Sequence, residues 1–174
     1  MKKIILTILL AFFYAFFVSS VFAATYYVST TGNDNNNGSQ SSRWRTIQKA
    51  ANTLNSGDTV IVSVGTYGET VSVSRSGITF QANDVVTMKG FNITGNNMTV
   101  SGFRIDDSPG YGVELRGSNS TIKNNIITKA KNACILAAGQ NFLIENNDCS
   151  HTIQPTTNGG DADCFRYFGG GHTF

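Results

Sequence analysis

The chain has 174 residues, with 13 Lys and Arg against 11 Asp and Glu, a length that ordinarily makes one domain with a full core. Lys2 and Lys3 account for the whole basic excess, so a chain without them is near neutral. Lacking a Lys/Arg cluster, it lacks the electrostatic footprint of a nucleic-acid binder, and no nucleic-acid partner is expected. Three cysteines without a CxxC pair exclude a disulfide scaffold, and two distant histidines give a zinc site little support.

The chain opens Met1-Lys2-Lys3, runs apolar from Ile4 to Val18 and closes with Val21-Phe22-Ala23-Ala24. That order of charge, apolar core and small-residue exit predicts a cleavable signal peptide over 1–24 and a secreted or periplasmic protein. The apolar run is short for a membrane span and no second one follows, so no membrane association is expected after cleavage.

Tyr26-Tyr27-Val28-Ser29 reads as a strand and the Gly- and Asn-rich stretch from Thr31 to Gly38 as a surface loop. The Asn33-Asp34 pair lacks EF-hand spacing and fits turn chemistry instead. Thr46 can cap a helix whose apolar residues Ile47, Ala50, Ala51 and Leu54 fall at i, i+3, i+4 and i+7, ending at Asn55-Ser56-Gly57.

From Asp58 onward, short β-rich runs alternate with Gly, Asn and Ser, and they repeat. Phe80, Val100, Ile122, Ile144 and Phe174 are equivalent anchors, spaced 20, 22, 22 and 30 residues apart. Gly117, Gly139 and Gly169 each stand five residues before an anchor. Val113, Ile135 and Phe165 share one column, with Leu115, Ala137 and Tyr167 two residues on. Alternate apolar columns are what a strand with one buried face requires.

Coils of 20 to 25 residues, each strand pairing with its equivalent in the next coil, define an all-β, right-handed parallel β-helix. Residues 25–56 are then an N-terminal cap over the exposed first coil, and 57–174 the coils themselves. Phe174 is itself an anchor, so the sequence is expected to be a fragment of a longer protein. Stacked Asn124 and Asn146 predict an amide ladder at a tight turn. Cys134 and Cys164 share a column about 4.8 Å apart, but their parallel Cβ vectors favour stacked thiols over a bridge.

The blocks Tyr-Tyr-Val-Ser-x-x-Gly-Asn-Asp (26–34), Arg-Thr-Ile-Gln-Lys-Ala-Ala (45–51) and Gly-Asp-Thr-Val-x-Val-x-x-Gly-Thr-Tyr (57–67) resemble the start of secreted β-helix proteins of the pectate-lyase-like superfamily. That superfamily hosts lyases, hydrolases, epimerases and proteins of unknown role, so the resemblance implies a fold before it implies a reaction. Asp161-Ala162-Asp163-Cys164-Phe165 is similar to the Ala-Asp-Gly-Phe segment of family 9 polysaccharide lyases, in which the aspartate helps bind calcium beside a catalytic lysine. The similarity carries only Asp163 across. Cys164 departs from the family's glycine, and the family's later Asp-Asp pair and lysine would lie beyond Phe174.

The columns also place loops beside one another. After Ile105, Ile127 and Cys149 come Asp106-Asp107, then Lys129 and Lys131, then His151 with Asp161 and Asp163 in a lengthened loop, where repeat proteins often carry a binding surface. Abstracting the proton α to a uronate carboxylate needs a cation to neutralise that carboxylate and a base at C5. Asp161 and Asp163 are the candidate calcium ligands, and Lys131 or Arg166 the base or charge clamp. Tyr111, Glu114 and His151 are the candidate substrate contacts, Glu114 lying in the same outward column as Arg166. The expected protein is a monomeric, calcium-dependent polysaccharide lyase acting by β-elimination on an acidic polysaccharide. The competing readings are a non-catalytic glycan-binding or surface-adhesion β-helix and a purely structural repeat, in which these charges are solvated surface pairs.

Overall fold

The computed structural model describes residues 23–152, 164–171 and 173. Residues 1–22 of the signal peptide predicted over 1–24, the candidate ligands Asp161 and Asp163, and the anchor Phe174 lie outside the described residues.

The described chain winds as a parallel β-solenoid with one short helix. The first coils use long strands, β1 (Thr25–Val28), β2 (Thr59–Thr66), β3 (Thr70–Val73), β4 (Thr79–Met88), β5 (Gly90–Ile93) and β6 (Thr99–Asp106). Later coils use strands of three residues: β7 (Val113–Leu115), β8 (Thr121–Lys123), β9 (Ile126–Thr128), β10 (Ile135–Ala137), β11 (Leu143–Glu145), β12 (Asp148–Ser150) and β13 (Phe165–Tyr167). One sheet runs β1-β2-β4-β6-β8-β11, with β9 joining β6 to β12 around a corner, and the second runs β3-β5-β7-β10-β13. Every pairing between these strands is parallel.

The anchors form the internal file that the repeat requires: Val60 pairs with Phe80, Phe80 with Val100, Val100 with Ile122 and Ile122 with Ile144. In the second sheet Phe91, Val113, Ile135 and Phe165 are successive partners, as are Ile93, Leu115, Ala137 and Tyr167. Val60, Phe91 and Ile93 extend the columns one or more coils toward the N-terminus. Strand alternation buries Val71 and Val73 while exposing Ser72, and buries Phe91 and Ile93 while exposing Asn92. Three aromatic rings meet inside: Phe91 lies 5.4 Å from Phe80 and 5.2 Å, edge-on, from Phe103.

The glycines five residues before the anchors have a steric cause. A Cβ on Gly117 would overlap the carbonyl oxygen of Gly95, one on Gly139 that of Gly117, and one on Gly169 that of Gly139. Each coil therefore approaches the next too closely for any side chain. Three residues before the anchors, Asn97, Asn119 and Asn141 all adopt φ near 56°, a left-handed conformation that asparagine tolerates better than most residues.

The amide ladder lies one residue beyond the predicted one. Asn124 and Asn146 take left-handed φ of 57° and 53° to make the turn, which sends their successors inward. Asn125, fully buried, donates through Nδ2 to Asn147 Oδ1 at 2.9 Å and to the Val100 carbonyl at 3.2 Å, and accepts from Phe103 N–H at 3.0 Å. Asn147 donates to the Ile122 carbonyl at 2.8 Å. A second rung joins Asn141 to Asn119 at 3.1 Å.

The helix α1 (Ile47–Thr53) has Thr46 as N-cap, its Oγ1 accepting from Lys49 N–H at 3.1 Å. The Glu69 carboxylate takes the next two donors, Ile47 N–H and Gln48 N–H. Ile47, Ala50, Ala51 and Leu54 are buried. Gln48 acts as a surrogate strand: its amide donates to the Ser72 carbonyl at 2.9 Å and accepts from Ser72 N–H at 2.8 Å, pairing backbone groups on the edge of β3.

Asp34 fastens the preceding loop to the helix start, accepting from Arg45 N–H, Thr46 N–H and Thr46 Oγ1–H at 2.8 to 2.9 Å. Burial pushes its carboxyl up, but the hydrogen bonds from Thr46 and Arg45 and the Lys49 charge outweigh that and hold it below the ordinary carboxylate range. A depressed folded-state pKa contributes stability that is complete above the unfolded value, near pH 4, and is lost as pH falls through the folded value. Asp34→Asn is therefore expected to lower the thermal midpoint at neutral pH and to shrink its fall on acidification, a difference read from melting curves taken at successive pH values. An unchanged acid slope would remove Asp34 from the linkage.

Candidate functional site

Two neighbouring regions gather the candidate residues. The first is the corner where β6, β9 and β12 end. Asp107, Lys129 and His151 stack there with left-handed φ of 57°, 53° and 55°, and the turns are stitched by Asp107 N–H to Thr128 O and Lys129 N–H to Ser150 O. Asp106 accepts from Thr128 Oγ1–H at 2.6 Å and lies 3.4 Å from Lys129 Nζ. Asp107 pairs with Lys89 at 2.9 Å.

The Thr128 hydroxyl, opposed by slight burial and aided by Lys129 and Lys89, holds Asp106 below the usual carboxylate range, while Lys89 does the same for Asp107. Both carboxylates are thus engaged by cations of the chain itself. Among the described residues no three His, Cys, Asp or Glu side chains gather as metal ligands. Lys89 was not singled out in the sequence, although its place after Met88, the partner of Ile105, puts it in the Asp106 column.

The second region is a cleft of about 290 Å³ beside the second sheet, lined by Thr70, Asn92, Ser108, Pro109, Gly110, Tyr111, Glu114 and Asn132. Its wall is the turn 108–111, closed by the buried Ser108 hydroxyl donating to Tyr111 O at 2.6 Å. The next coil supports the turn through Lys131 N–H to Ser108 O and Asn132 N–H to Gly110 O. Gly112 lets it settle onto that coil, since a Cβ there would lie 2.8 Å from the Cys134 carbonyl oxygen. The floor comes from alternation in β5 and β7, where the outward residues Asn92 and Glu114 are direct partners.

Tyr111 and Glu114 therefore line one cleft. Lys131 is exposed beside Asn132 but does not itself line the cleft, and its charge acts on Asp107 at the corner. Arg166 continues the file Glu114, Leu136, Arg166, two strands from Glu114, with Leu136 between them buried. His151 is exposed at the corner and does not line the cleft. Glu114 is held by Arg116, whose Nε lies 2.8 Å from Oε1.

The cysteines correct the sequence reading. Cys134 and Cys164 do flank one another across β10 and β13, but the disulfide joins Cys134 to Cys149, with Cα atoms 6.1 Å apart, and Cys164 is an exposed free thiol. Side chains in one column run parallel, whereas Cys149 lies in the column of Ile105 and Ile127 and meets Cys134 across the corner. The Cys164 Sγ lies 3.7 Å from the Cys149 carbonyl oxygen, so all three cysteines converge.

The coil stack is that of a right-handed parallel β-helix, and comparison with known proteins agrees. Residues 26–174 match the family described as "Pel9A-like, right handed beta helix region", and the chain belongs to that family. The crystal structure of pectate lyase Pel9A superposes with a TM-score of 0.75 at 23% identity, covering 88% of this chain and 47% of that one. A rhamnogalacturonan lyase gives a TM-score of 0.58 at 18% identity, covering 86% of this chain and 50% of that one. The chain thus spans about half the length of each. No curated protein sequence matches it.

Proposed function

We propose that the protein to which this chain belongs is a secreted, calcium-dependent polysaccharide lyase that cleaves an acidic polysaccharide by β-elimination. The observation that carries the reading is the family match over 26–174; in its support, Tyr111 and Glu114 line one cleft and Arg166 follows Glu114 in the same file.

Of the two cations, Lys131 is suited to take the α-proton, because an ammonium can give up its proton while a guanidinium stays charged. Arg166 then clamps the uronate carboxylate through its planar fork of donors. Asp161 and Asp163 have the oxygen donors that calcium prefers, and bound calcium would neutralise the carboxylate next to the acidic C5–H. Two carboxylates are fewer than the six to eight oxygens calcium takes, so further ligands must come from elsewhere.

The test is release of unsaturated uronate, read by its absorbance, when the full-length protein meets polygalacturonate and other uronate polymers with calcium. A chelator is expected to abolish the signal, and Lys131→Ala to lower it by about 10²–10⁴-fold. A folded full-length protein that forms no product on any of these polymers defeats the lyase reading and leaves glycan binding without chemistry, which the preformed cleft at Tyr111 and Glu114 would serve.

A further inference from the structure

Asp58 is buried, with 3% of its surface exposed, and among the described residues no lysine, arginine or histidine pairs with it. Its Oδ2 accepts from Asn55 N–H at 2.8 Å, closing the turn after α1, and its Oδ1 accepts from Ala24 N–H at 3.0 Å. The Ala24 carbonyl in turn accepts from Thr59 N–H at 2.9 Å. Ala24 is thus fixed to the start of β2 through both of its backbone groups, and the pairing of β1 continues from there with Thr25 against Thr59. Ala23, one residue earlier, is exposed. A carboxylate taken out of water without a counter-charge is costly, and of its two donors Ala24 N is the one that signal cleavage can turn into a cation.

We propose that signal cleavage falls between Ala23 and Ala24, one residue before the boundary expected from sequence, and that the new Ala24 α-ammonium locks onto the Asp58 carboxylate, so that processing itself strengthens the first coil. The inference rests on the secretion reading above and goes beyond it. Cleavage here sets Val21 and Ala23 three residues and one residue before the cut, whereas cleavage after Ala24 would set the bulky Phe22 in the third place, where a small side chain is favoured. The hydrogen bonds favour the same bond. Without Ala24, the buried Asp58 Oδ1 would lose its donor and Thr59 N–H its acceptor. In the step itself a signal peptidase adds water across the Ala23–Ala24 peptide and the C–N bond breaks. The water oxygen stays on the Ala23 carbonyl carbon as a carboxylate that departs with the signal, and the two water protons go to the Ala24 nitrogen, making it an ammonium. A hydrogen bond from a neutral amide thereby becomes a charge-assisted pair between two ions.

The experiment has two readouts on the full-length protein. The first is the N-terminal sequence of the protein recovered outside the cytoplasm of an expressing cell, which is expected to begin Ala24-Thr25-Tyr26. The second is the melting midpoint of that protein at neutral pH against the same protein acetylated on its α-amine, a change that removes the charge and keeps an N–H donor. Acetylation is expected to lower the midpoint by about 2–4 °C, and to leave that of Asp58→Asn unmoved, because the carboxylate is then gone. Should Asp58→Asn fail to fold, the acetylation shift in the unaltered protein decides alone. The proposal is overturned if the processed chain begins at any other residue, or if acetylation leaves the unaltered midpoint where it was. A processed protein with a different start sinks this proposal alone, whereas a protein retained in the cytoplasm with its signal intact sinks the secretion reading as well.

Discussion

Phe91→Ala is expected to lower the unfolding free energy by about 3–5 kcal/mol, the usual cost of emptying a buried aromatic site. Phe91 is fully buried on the second sheet and touches Phe80 and Phe103, which belong to the first. Its ring thus ties the two sheets together, and the alanine variant loses both aromatic contacts, each worth about 0.5–1.5 kcal/mol within that total. Shape matters here as well as apolar area, so Phe91→Leu should retain part of the loss, because a branched aliphatic fills only some of the space between two tilted rings. Urea unfolding monitored by circular dichroism checks both variants. A loss below about 1 kcal/mol for the alanine change would mean that the sheets are held by something other than this aromatic bridge.

Cys134→Ser is expected to cost about 3 kcal/mol, the chain-entropy value for a cross-link closing a loop of this size. The bond spans 15 positions and ties the residue just before β10 to the middle of β12. The Cys134→Ser chain should unfold at lower urea than the oxidised protein and become insensitive to reductant, whereas the unaltered chain treated with reductant should fall to about the same midpoint. Cys164→Ser leaves the bond in place and should move the midpoint little. If reductant does not shift the unaltered chain, the Cys134–Cys149 pairing is not a stabilising element.

The coil stack was legible because a parallel solenoid writes its geometry into spacing. Val100, Ile122 and Ile144 must stand directly over one another, and the glycine five residues earlier is forced by a carbonyl oxygen of the coil before it. The helix was legible through one N-cap threonine and four apolar positions. Errors arose where the outcome depends on which way a side chain leaves a turn. Asn124 was read as the ladder residue because it is column-matched with Asn146, yet both spend their backbone on the left-handed turn, and the next residue makes the ladder. The signal for that lay in the neighbouring pair Asn125 and Asn147, which repeat with the same period.

Cys149 was overlooked as a partner because column reasoning compares equivalent positions on different coils. The bond instead crosses a corner between positions that are not equivalent. The candidate site was legible in part. Glu114 and Tyr111 come together because alternation and a Pro-Gly turn place them, and Arg166 follows Glu114 in the same file. The neutralisation of Asp106 and Asp107 by Lys129 and Lys89 was not legible, since long flexible ammonium groups choose partners by reach and not by register.

The constant 22-residue step from Val100 to Ile122 to Ile144 makes the length of this molecule a counted quantity. Excising one whole turn rejoins every column to an equivalent one, whereas removing a single residue from a strand swaps its inner and outer faces. Recombination within such a gene would therefore shift the separation of the Glu114 cleft from Arg166 in increments of one strand spacing, about 4.8 Å, as if along a ruler graduated only in whole divisions.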